Sequence, residues 1–233
     1  MKIAHHNAAT GAVEVRDATS QEADALNVHW GGAKAASKPF VFVGASNTTT
    51  DYVSQAVNYA HRVSAALGLT CQNSAVSGQS STKMLENIQS QVFAHNPAAV
   101  CVLIGTNDAA KAVEAGGTPS VSEVVATYIS NMRSFITQVR GAGIKLLVLS
   151  PNLSQVPETN VYLMAMGEAL RTLCIERSVA FLDLTALMAY HQSLGGSTFD
   201  DWFIPSDLDK YHLGPVGHGH EFDMIMKSQI RAA

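Results

Sequence analysis

Short apolar runs alternate with longer amphipathic stretches from Phe40 to near the end of the chain. The apolar runs lie at 40–43, 70–76, 100–104, 144–149 and 179–182. Helical patterns fall between them at about 51–67, 82–94, 121–141 and 160–177, and a last one begins near Val216. Strands that alternate with helices indicate βαβ units and a sheet covered on both faces. The pattern predicts a three-layer α/β/α sandwich around a mostly parallel, flavodoxin-like sheet of five strands.

The N-terminal part of the chain does not share this alternation. Residues 12–16 alternate in the manner of an edge strand, and residues 20–28 have the pattern of a short helix capped by Ser20. The sequence therefore predicts an N-terminal extension, residues 1–38, and one α/β domain, residues 39–233. A chain of 233 residues, 47% of them hydrophobic, suffices for one substantial core.

Charge and composition narrow the classes of partner. The net charge is −4 without a block of like charges, which argues against a nucleic-acid binder and favours small neutral partners. No stretch approaches the roughly 20 apolar residues of a membrane span, and the start of the chain lacks the apolar core of a signal peptide. We therefore expect a cytoplasmic protein, with attachment of the extension to a secreted complex or a phage particle as the alternative. The three cysteines lie in apolar patterns and are expected to be free and buried.

Polar groups follow several of the predicted strands. The third apolar run stops at Gly105-Thr106-Asn107-Asp108, which delivers an uncharged amide donor to the carboxyl edge of the sheet. The first run ends in Gly44-Ala45-Ser46-Asn47, where a serine at a strand-to-helix turn is well placed as a nucleophile. Gly78, after the second run, lets backbone approach a ligand and present its N–H.

A carboxylate and an imidazole precede the last predicted helix. Asp209 and His212 are three residues apart in a turn. At that spacing the carboxylate accepts the Nδ1 hydrogen of the imidazole and leaves Nε2 free as a base. This is the orientation that a serine nucleophile requires.

Together these four segments resemble, in their order, the blocks of the SGNH hydrolases, the GDSL-type esterase and lipase family, over about residues 39–231. The resemblance implies a carboxylic ester hydrolase in which Ser46 attacks the carbonyl carbon and His212, oriented by Asp209, moves the proton. It also implies an oxyanion hole made by the backbone N–H groups of Ser46 and Gly78 and by the Asn107 side chain. No metal or organic cofactor is expected.

The family contains thioesterases, lipases, arylesterases and sugar deacetylases. Aromatic residues make up only 7% of the chain and no long apolar lid is evident, which favours a small acyl or carbohydrate O-acyl (acetyl) ester. The family usually has Asp before the serine, whereas this chain has Ala45, so the nucleophile loop lacks a carboxylate that normally helps to fix it. We expect Asp108 to stabilise its own turn, and Trp202 and Phe203 to anchor a loop to the core rather than line a pocket.

Three other interpretations are weighed against this one. A metal centre could be built from a group of imidazoles and carboxylates near the C-terminus, namely His212, His218, His220, Asp209 and Glu221. A Rossmann-type nucleotide-binding protein shares the opening Val43-Gly44-Ala45-Ser46, although the later glycines of that motif are missing. A non-catalytic binding module on the same fold is the third, because fold does not guarantee activity.

Overall fold

The computed structural model describes residues 38–193, 199–205 and 209–227, and the backbone of two N-terminal strands. The strands are β1 (Lys2–His6), β2 (Val13–Asp17), β3 (Phe40–Gly44), β4 (Cys71–Asn73), β5 (Ala99–Leu103), β6 (Lys145–Leu149) and β7 (Ala180–Leu182). The α-helices are α1 (Tyr59–Leu67), α2 (Ser81–Glu86), α3 (Ile88–Gln91), α4 (Thr106–Glu114), α5 (Val121–Gly141), α6 (Pro157–Glu176), α7 (Leu184–Ser193) and α8 (Pro215–Lys227). Short 3₁₀ helices cover Phe93–His95 and Asp200–Trp202.

Five parallel strands form the central sheet in the order β4-β3-β5-β6-β7. Numbered within the domain, this is the 2-1-3-4-5 order of flavodoxin-like folds, which confirms the predicted fold class. The order reverses after β4, and right-handed crossovers therefore place α1 on the opposite face from α5 and α6. Helix α8 packs against α1, and α5 packs against α6, so the sheet lies between two helical layers.

Burial explains why the central strands are near-continuous apolar runs. Every residue of β3 and β5 is buried, whereas the edge strands β4 and β7 are only half-buried. The aromatic ring of Tyr59 on α1 contacts Phe42 edge to face across this core. Cys101 and Cys174 are free and buried as predicted, while Cys71 at the sheet edge is free and half-buried.

The N-terminal strands are not hydrogen-bonded into the central sheet. Strand β2 confirms the extended segment predicted at 12–16, and it pairs with β1 in an antiparallel two-stranded sheet. The helix predicted at 20–28 lies outside the described residues.

Four helical elements differ from the sequence prediction. The single helix expected at 82–94 is divided into α2, α3 and the 3₁₀ helix Phe93–His95. The helix expected at 51–67 begins only at Tyr59, so that residues 51–58 form an irregular loop. Helix α4 was not predicted, because Gly105-Thr106-Asn107-Asp108 reads as a turn when its residues in fact begin a helix. Helix α7 was also missed, since its sequence is apolar without a clear polar face.

Asn58 determines where α1 begins. Its buried side chain accepts the N–H of Ala60 at 3.1 Å, and its Nδ2 donates to the carbonyls of Thr48 at 3.2 Å and Thr49 at 2.9 Å. One carboxamide thus caps the helix and fixes the turn that follows β3, which carries Ser46. An Asn supplies both roles because it has an acceptor and two donors.

Replacing Asn58 with Asp keeps the cap but removes both donors, and it sets a carboxylate against two carbonyl oxygens. We expect the free energy of unfolding, measured by urea denaturation, to fall by about 2–4 kcal/mol. The matched control is Asn87→Asp, because the exposed Asn87 also donates to a carbonyl, that of Lys83. An equal loss in both variants would contradict the role assigned to Asn58.

Candidate active site

The candidate residues collect at the carboxyl edge of the sheet. Ser46 follows β3, Gly78 follows β4 and Asn107 follows β5, and these three strands are neighbours. The strand order reverses beside β3, which makes this edge the topological switch point where open α/β sheets form their ligand clefts. The structure therefore brings these predicted residues to one edge of the sheet.

The segment that carries Asp209 and His212 is held by residues 202–204. The N–H of Ile204 donates to the carbonyl of His212 at 3.0 Å, and the N–H of Gly214 donates to the carbonyl of Trp202 at 2.8 Å. Trp202 is fully buried and Phe203 nearly so, which confirms that these aromatics anchor the loop to the core. The segment is thus attached to the body of the domain just before α8.

Asp209 and His212 form a close pair. Nδ1 of His212 lies 2.7 Å from Oδ2 of Asp209, and Oδ1 accepts the backbone N–H groups of Tyr211 and His212, each at 3.1 Å. Burial acts to raise the pKa of Asp209, but these donors and the imidazole outweigh it and hold the pKa below its usual value. The carboxylate stays charged at neutral pH and leaves Nε2 of His212 available.

Asn47 connects the Ser46 turn to this segment. Its Oδ1 accepts the N–H of Leu213 at 2.9 Å, and its Nδ2 donates to the carbonyl of Tyr211 at 3.1 Å. The two partners flank His212 in the chain, so the buried Asn47 side chain binds the backbone on both sides of this residue. The same Nδ2 lies 3.0 Å from Oδ1 of Asn152, which follows β6.

Asn152 extends the connection to the turn after β5. Its Oδ1 also accepts the hydroxyl of Thr106 at 3.0 Å, and its own Nδ2 donates to the carbonyl of Leu153. Asn152 could not be singled out from the sequence, since a lone Asn after a strand is typical of many turns. The turns after β3, β5 and β6 are therefore joined through side-chain amides.

The candidate oxyanion donors have hydrogens free for a ligand. Within the described residues, the backbone N–H groups of Ser46 and Gly78 donate to no acceptor. Gly78 has φ +75°, and a Cβ there would meet nothing within 4 Å, so its backbone faces open space. One N–H of the Asn107 side chain binds the carbonyl of Gln79 at 3.1 Å, which leaves its second hydrogen free.

Asp108 joins the Gly78 loop to the start of α4. Its carboxylate accepts the N–H of Ser81 at 2.9 Å and the hydroxyl of Ser81 at 2.6 Å. Burial raises the pKa of Asp108, and the hydrogen bonds from Ser81 and from its own N–H only partly offset this. The prediction that Asp108 stabilises its own turn was incomplete, because its principal partner, Ser81, is the first residue of α2. That tertiary partner could not be read from the local sequence.

Tyr52 and Asp51 are site residues that the sequence did not single out, because their segment was predicted to be helical. The Tyr52 ring stacks on the His212 imidazole, with centroids 3.5 Å apart and planes 12° from parallel. Asp51 accepts hydrogen bonds from the hydroxyls of Ser77 and Thr49.

One expected contact is not formed in this structure. Within the described part of the chain, no hydrogen bond joins the Ser46 hydroxyl to His212. The Ser46 turn itself is ordered by the N–H groups of Thr48 and Thr49, which both donate to the carbonyl of Ala45. Such contacts are often long before substrate binds and tighten in the complex.

The groups considered for a metal centre lie in separate environments. His212 pairs with Asp209, whereas the buried His218 lies 3.1 Å from Glu221 within α8. His220 stacks on Trp202 instead. Among the residues that the structure describes, no group of three His, Cys, Asp or Glu side chains could hold a metal ion.

Polar groups at the switch point of a three-layer α/β/α sandwich are a common setting for hydrolases. A model of the GDSL-like Lipase/Acylhydrolase family matches residues 42–220. The chain belongs to this family and is a carboxylic ester hydrolase. No curated protein sequence matches it.

Solved structures share the fold at low identity. The lipase/acylhydrolase from Enterococcus faecalis is 19% identical, with a TM-score of 0.64 over 84% of this chain and 98% of that one. Axe2, an acetylxylan esterase from Geobacillus stearothermophilus, is 16% identical, with a TM-score of 0.64 over 84% of this chain and 97% of its own. A putative lipolytic protein of the G-D-S-L family from Desulfitobacterium hafniense DCB-2 is 13% identical, with a TM-score of 0.63 over 81% and 97%.

The α-helices of the described residues are at most 21 residues long. In the described ranges, none is long and apolar enough to cross a bilayer.

Proposed function

We propose that the protein is a serine esterase in which Ser46, His212 and Asp209 form the catalytic triad. The observation that carries the proposal is the 2.7 Å contact between Asp209 and His212. The segment that contains this pair is hydrogen-bonded to Asn47, the residue next to Ser46. An isolated Asp–His pair is common in proteins. A pair held against a serine turn at the switch point of the sheet is typical of nucleophilic catalysis.

In the proposed reaction, Oγ of Ser46 attacks the carbonyl carbon while Nε2 of His212 accepts the hydroxyl proton. The tetrahedral intermediate collapses, the ester C–O bond breaks, and the imidazolium gives its proton to the leaving alcohol. Water then attacks the acyl-serine with the same base, which releases the acid and restores Ser46. Asp209 holds the tautomer and stabilises the imidazolium at both stages.

The oxyanion of each intermediate would be held by three donors, the N–H groups of Ser46 and Gly78 and the Asn107 side chain. Their unused hydrogens support this assignment. Each such donor is worth on the order of 3 kcal/mol in the transition state. The proposed chemistry lies within residues 39–233 and uses no metal or organic cofactor.

The substrate class that we propose is a small acyl ester, with acetyl groups on carbohydrate as the leading case. The low aromatic content supports a short acyl group. The structural relative from Geobacillus stearothermophilus is an acetylxylan esterase, which supports the carbohydrate alcohol.

Ser46→Ala should lower kcat for p-nitrophenyl acetate by about 10⁴-fold or more, because it removes the nucleophile. Circular dichroism and the melting temperature should stay unchanged, since Ser46 is only half-buried. Ser90→Ala, at an exposed serine on α3, is the matched control and should keep full activity. Turnover that survives in Ser46→Ala would refute the proposed mechanism.

Asn107→Ala should reduce kcat by about 10²–10³-fold with a much smaller change in KM, because an oxyanion donor acts chiefly in the transition state. Steady-state kinetics on the same ester measure both constants, with Asn87→Ala as the exposed control. A loss confined to KM would assign Asn107 to ground-state binding and contradict its place in the oxyanion hole.

A panel of p-nitrophenyl esters, acetate, butyrate and octanoate, together with acetylated xylooligosaccharides, tests the substrate class. We expect kcat/KM to fall from acetate to octanoate by at least about tenfold, and acetate to be released from the sugar esters. The Ser46→Ala variant provides the blank. A preference for octanoate would overturn the short-acyl proposal while leaving the triad intact.

A further inference from the structure

The imidazole of His212 is constrained at one edge by Asp209, but its two faces need separate restraint. Contacts at Nδ1 fix the position of that atom and leave the ring able to tilt about the line to the carboxylate. One face of the imidazole is covered by the Tyr52 ring, at a centroid separation of 3.5 Å and an interplanar angle of 12°. The two rings are therefore in close and nearly parallel contact.

The phenolic oxygen of Tyr52 does not explain its position. Within the described residues the Tyr52 hydroxyl makes no hydrogen bond, and the side chain is 44% exposed. A tyrosine exposed to this degree is not held by the core. The ring face against His212 is therefore the main interaction that the structure gives this side chain.

The neighbouring residue ties Tyr52 to the rest of the site. Asp51 accepts the hydroxyl of Ser77, next to Gly78, and the hydroxyl of Thr49 at 3.0 Å. The single hydroxyl hydrogen of Thr49 is shared between Asp51 and the carbonyl of Ser46, which also lies 3.0 Å from the Thr49 oxygen. The loop that presents Tyr52 is thus attached to the turns of two proposed oxyanion donors.

Asp51 also contributes charge. The hydrogen bonds from Ser77 and then Thr49 hold the pKa of Asp51 below its usual value, with a further contribution from His212. An aromatic face attracts a cation that lies against it.

We propose that Tyr52 is a positioning residue of His212, which keeps the imidazole plane aligned for proton transfer and stabilises the imidazolium formed when Ser46 loses its proton. The proposal rests on the proposed serine mechanism and extends it to a residue outside the triad. Tyr52 acts through its ring face, so phenylalanine can replace it and an aliphatic side chain cannot.

Three variants test this role. Tyr52→Leu removes the aromatic face and keeps an apolar side chain, Tyr52→Phe keeps the face, and Tyr190→Leu changes an exposed tyrosine that lies edge-on to His191. For p-nitrophenyl acetate we expect kcat of Tyr52→Leu to fall about tenfold with KM within about twofold, as an aromatic contact of this kind provides. Tyr52→Phe and Tyr190→Leu should stay within about twofold of the wild type.

A second measurement separates positioning from general folding. The rate at which an organophosphonate ester inactivates the enzyme depends on removal of the serine proton by the imidazole. It should fall in Tyr52→Leu by about the same factor as kcat. Melting temperatures should agree among the variants, because the ring is largely outside the core.

Several outcomes would overturn the proposal. The first is a wild-type kcat in Tyr52→Leu. The second is an effect of Tyr52→Leu on KM alone, which would make the ring a substrate contact. The third is an equal loss of kcat in Tyr52→Phe, which would assign the effect to the hydroxyl. Its failure is distinct from failure of the mechanism. Inactive Ser46→Ala with fully active Tyr52→Leu refutes only the role of Tyr52, whereas active Ser46→Ala refutes the serine mechanism itself.

Discussion

The buried carboxamide of Asn47 is the contact on which the arrangement of this site depends. A strand end can place a serine, and a turn can pair an imidazole with a carboxylate, but neither sets the distance between them. Asn47 does so by binding the backbone of Tyr211 and Leu213 on either side of His212. Because the amide is buried, any shift that broke these bonds would leave polar groups without partners at a cost of a few kcal/mol. Asn47 therefore restrains the position of His212 relative to the Ser46 turn.

The remaining polar links extend this constraint along the sheet edge. Asn152 joins the turns after β3, β5 and β6, Asp108 joins the start of α4 to the loop of Gly78, and Asn58 holds the carbonyls after Ser46. Parallel strands form a rigid sheet edge, but they do not fix the distances between the loops that follow them. Here that separation is set by short, mostly buried side chains with few rotamers, which is the kind of support that preorganised donors require.

The sequence predicted most of this fold because its signals are local. Buried strands such as β3 and β5 are apolar throughout, and the spacing of Asp209 and His212 within one turn indicated their pairing directly. The irregular loop that carries Tyr52 and the helix that begins at Thr106 were not predicted. Asn, Thr and Asp are typical both of turns and of helix starts, and only tertiary contacts decide between them. The same applies to Asn47 and Asn152, whose partners lie far away in the chain.

At Ala45 the local sequence suggested less restraint than the structure provides. Its lack of a carboxylate suggested a less restrained nucleophile loop. In the structure Ala45 is buried, and its carbonyl accepts the N–H groups of Thr48 and Thr49 while Asn58 binds the carbonyls of those residues. The turn is restrained by its own backbone and by an amide from the next helix. A missing family residue was thus a poor guide to rigidity.

The bond between Asn47 and Leu213 spans 166 positions in the chain. A nascent polypeptide emerges from the ribosome from its N-terminus, so the serine turn is made long before the residues that complete it. Until the turn before α8 has been synthesised, Asn47 lacks its partners and the proposed base, His212, is absent. Chains that stop short of this turn carry the proposed nucleophile without its proposed base, so the capacity to cleave esters arises only after both distant segments have been made.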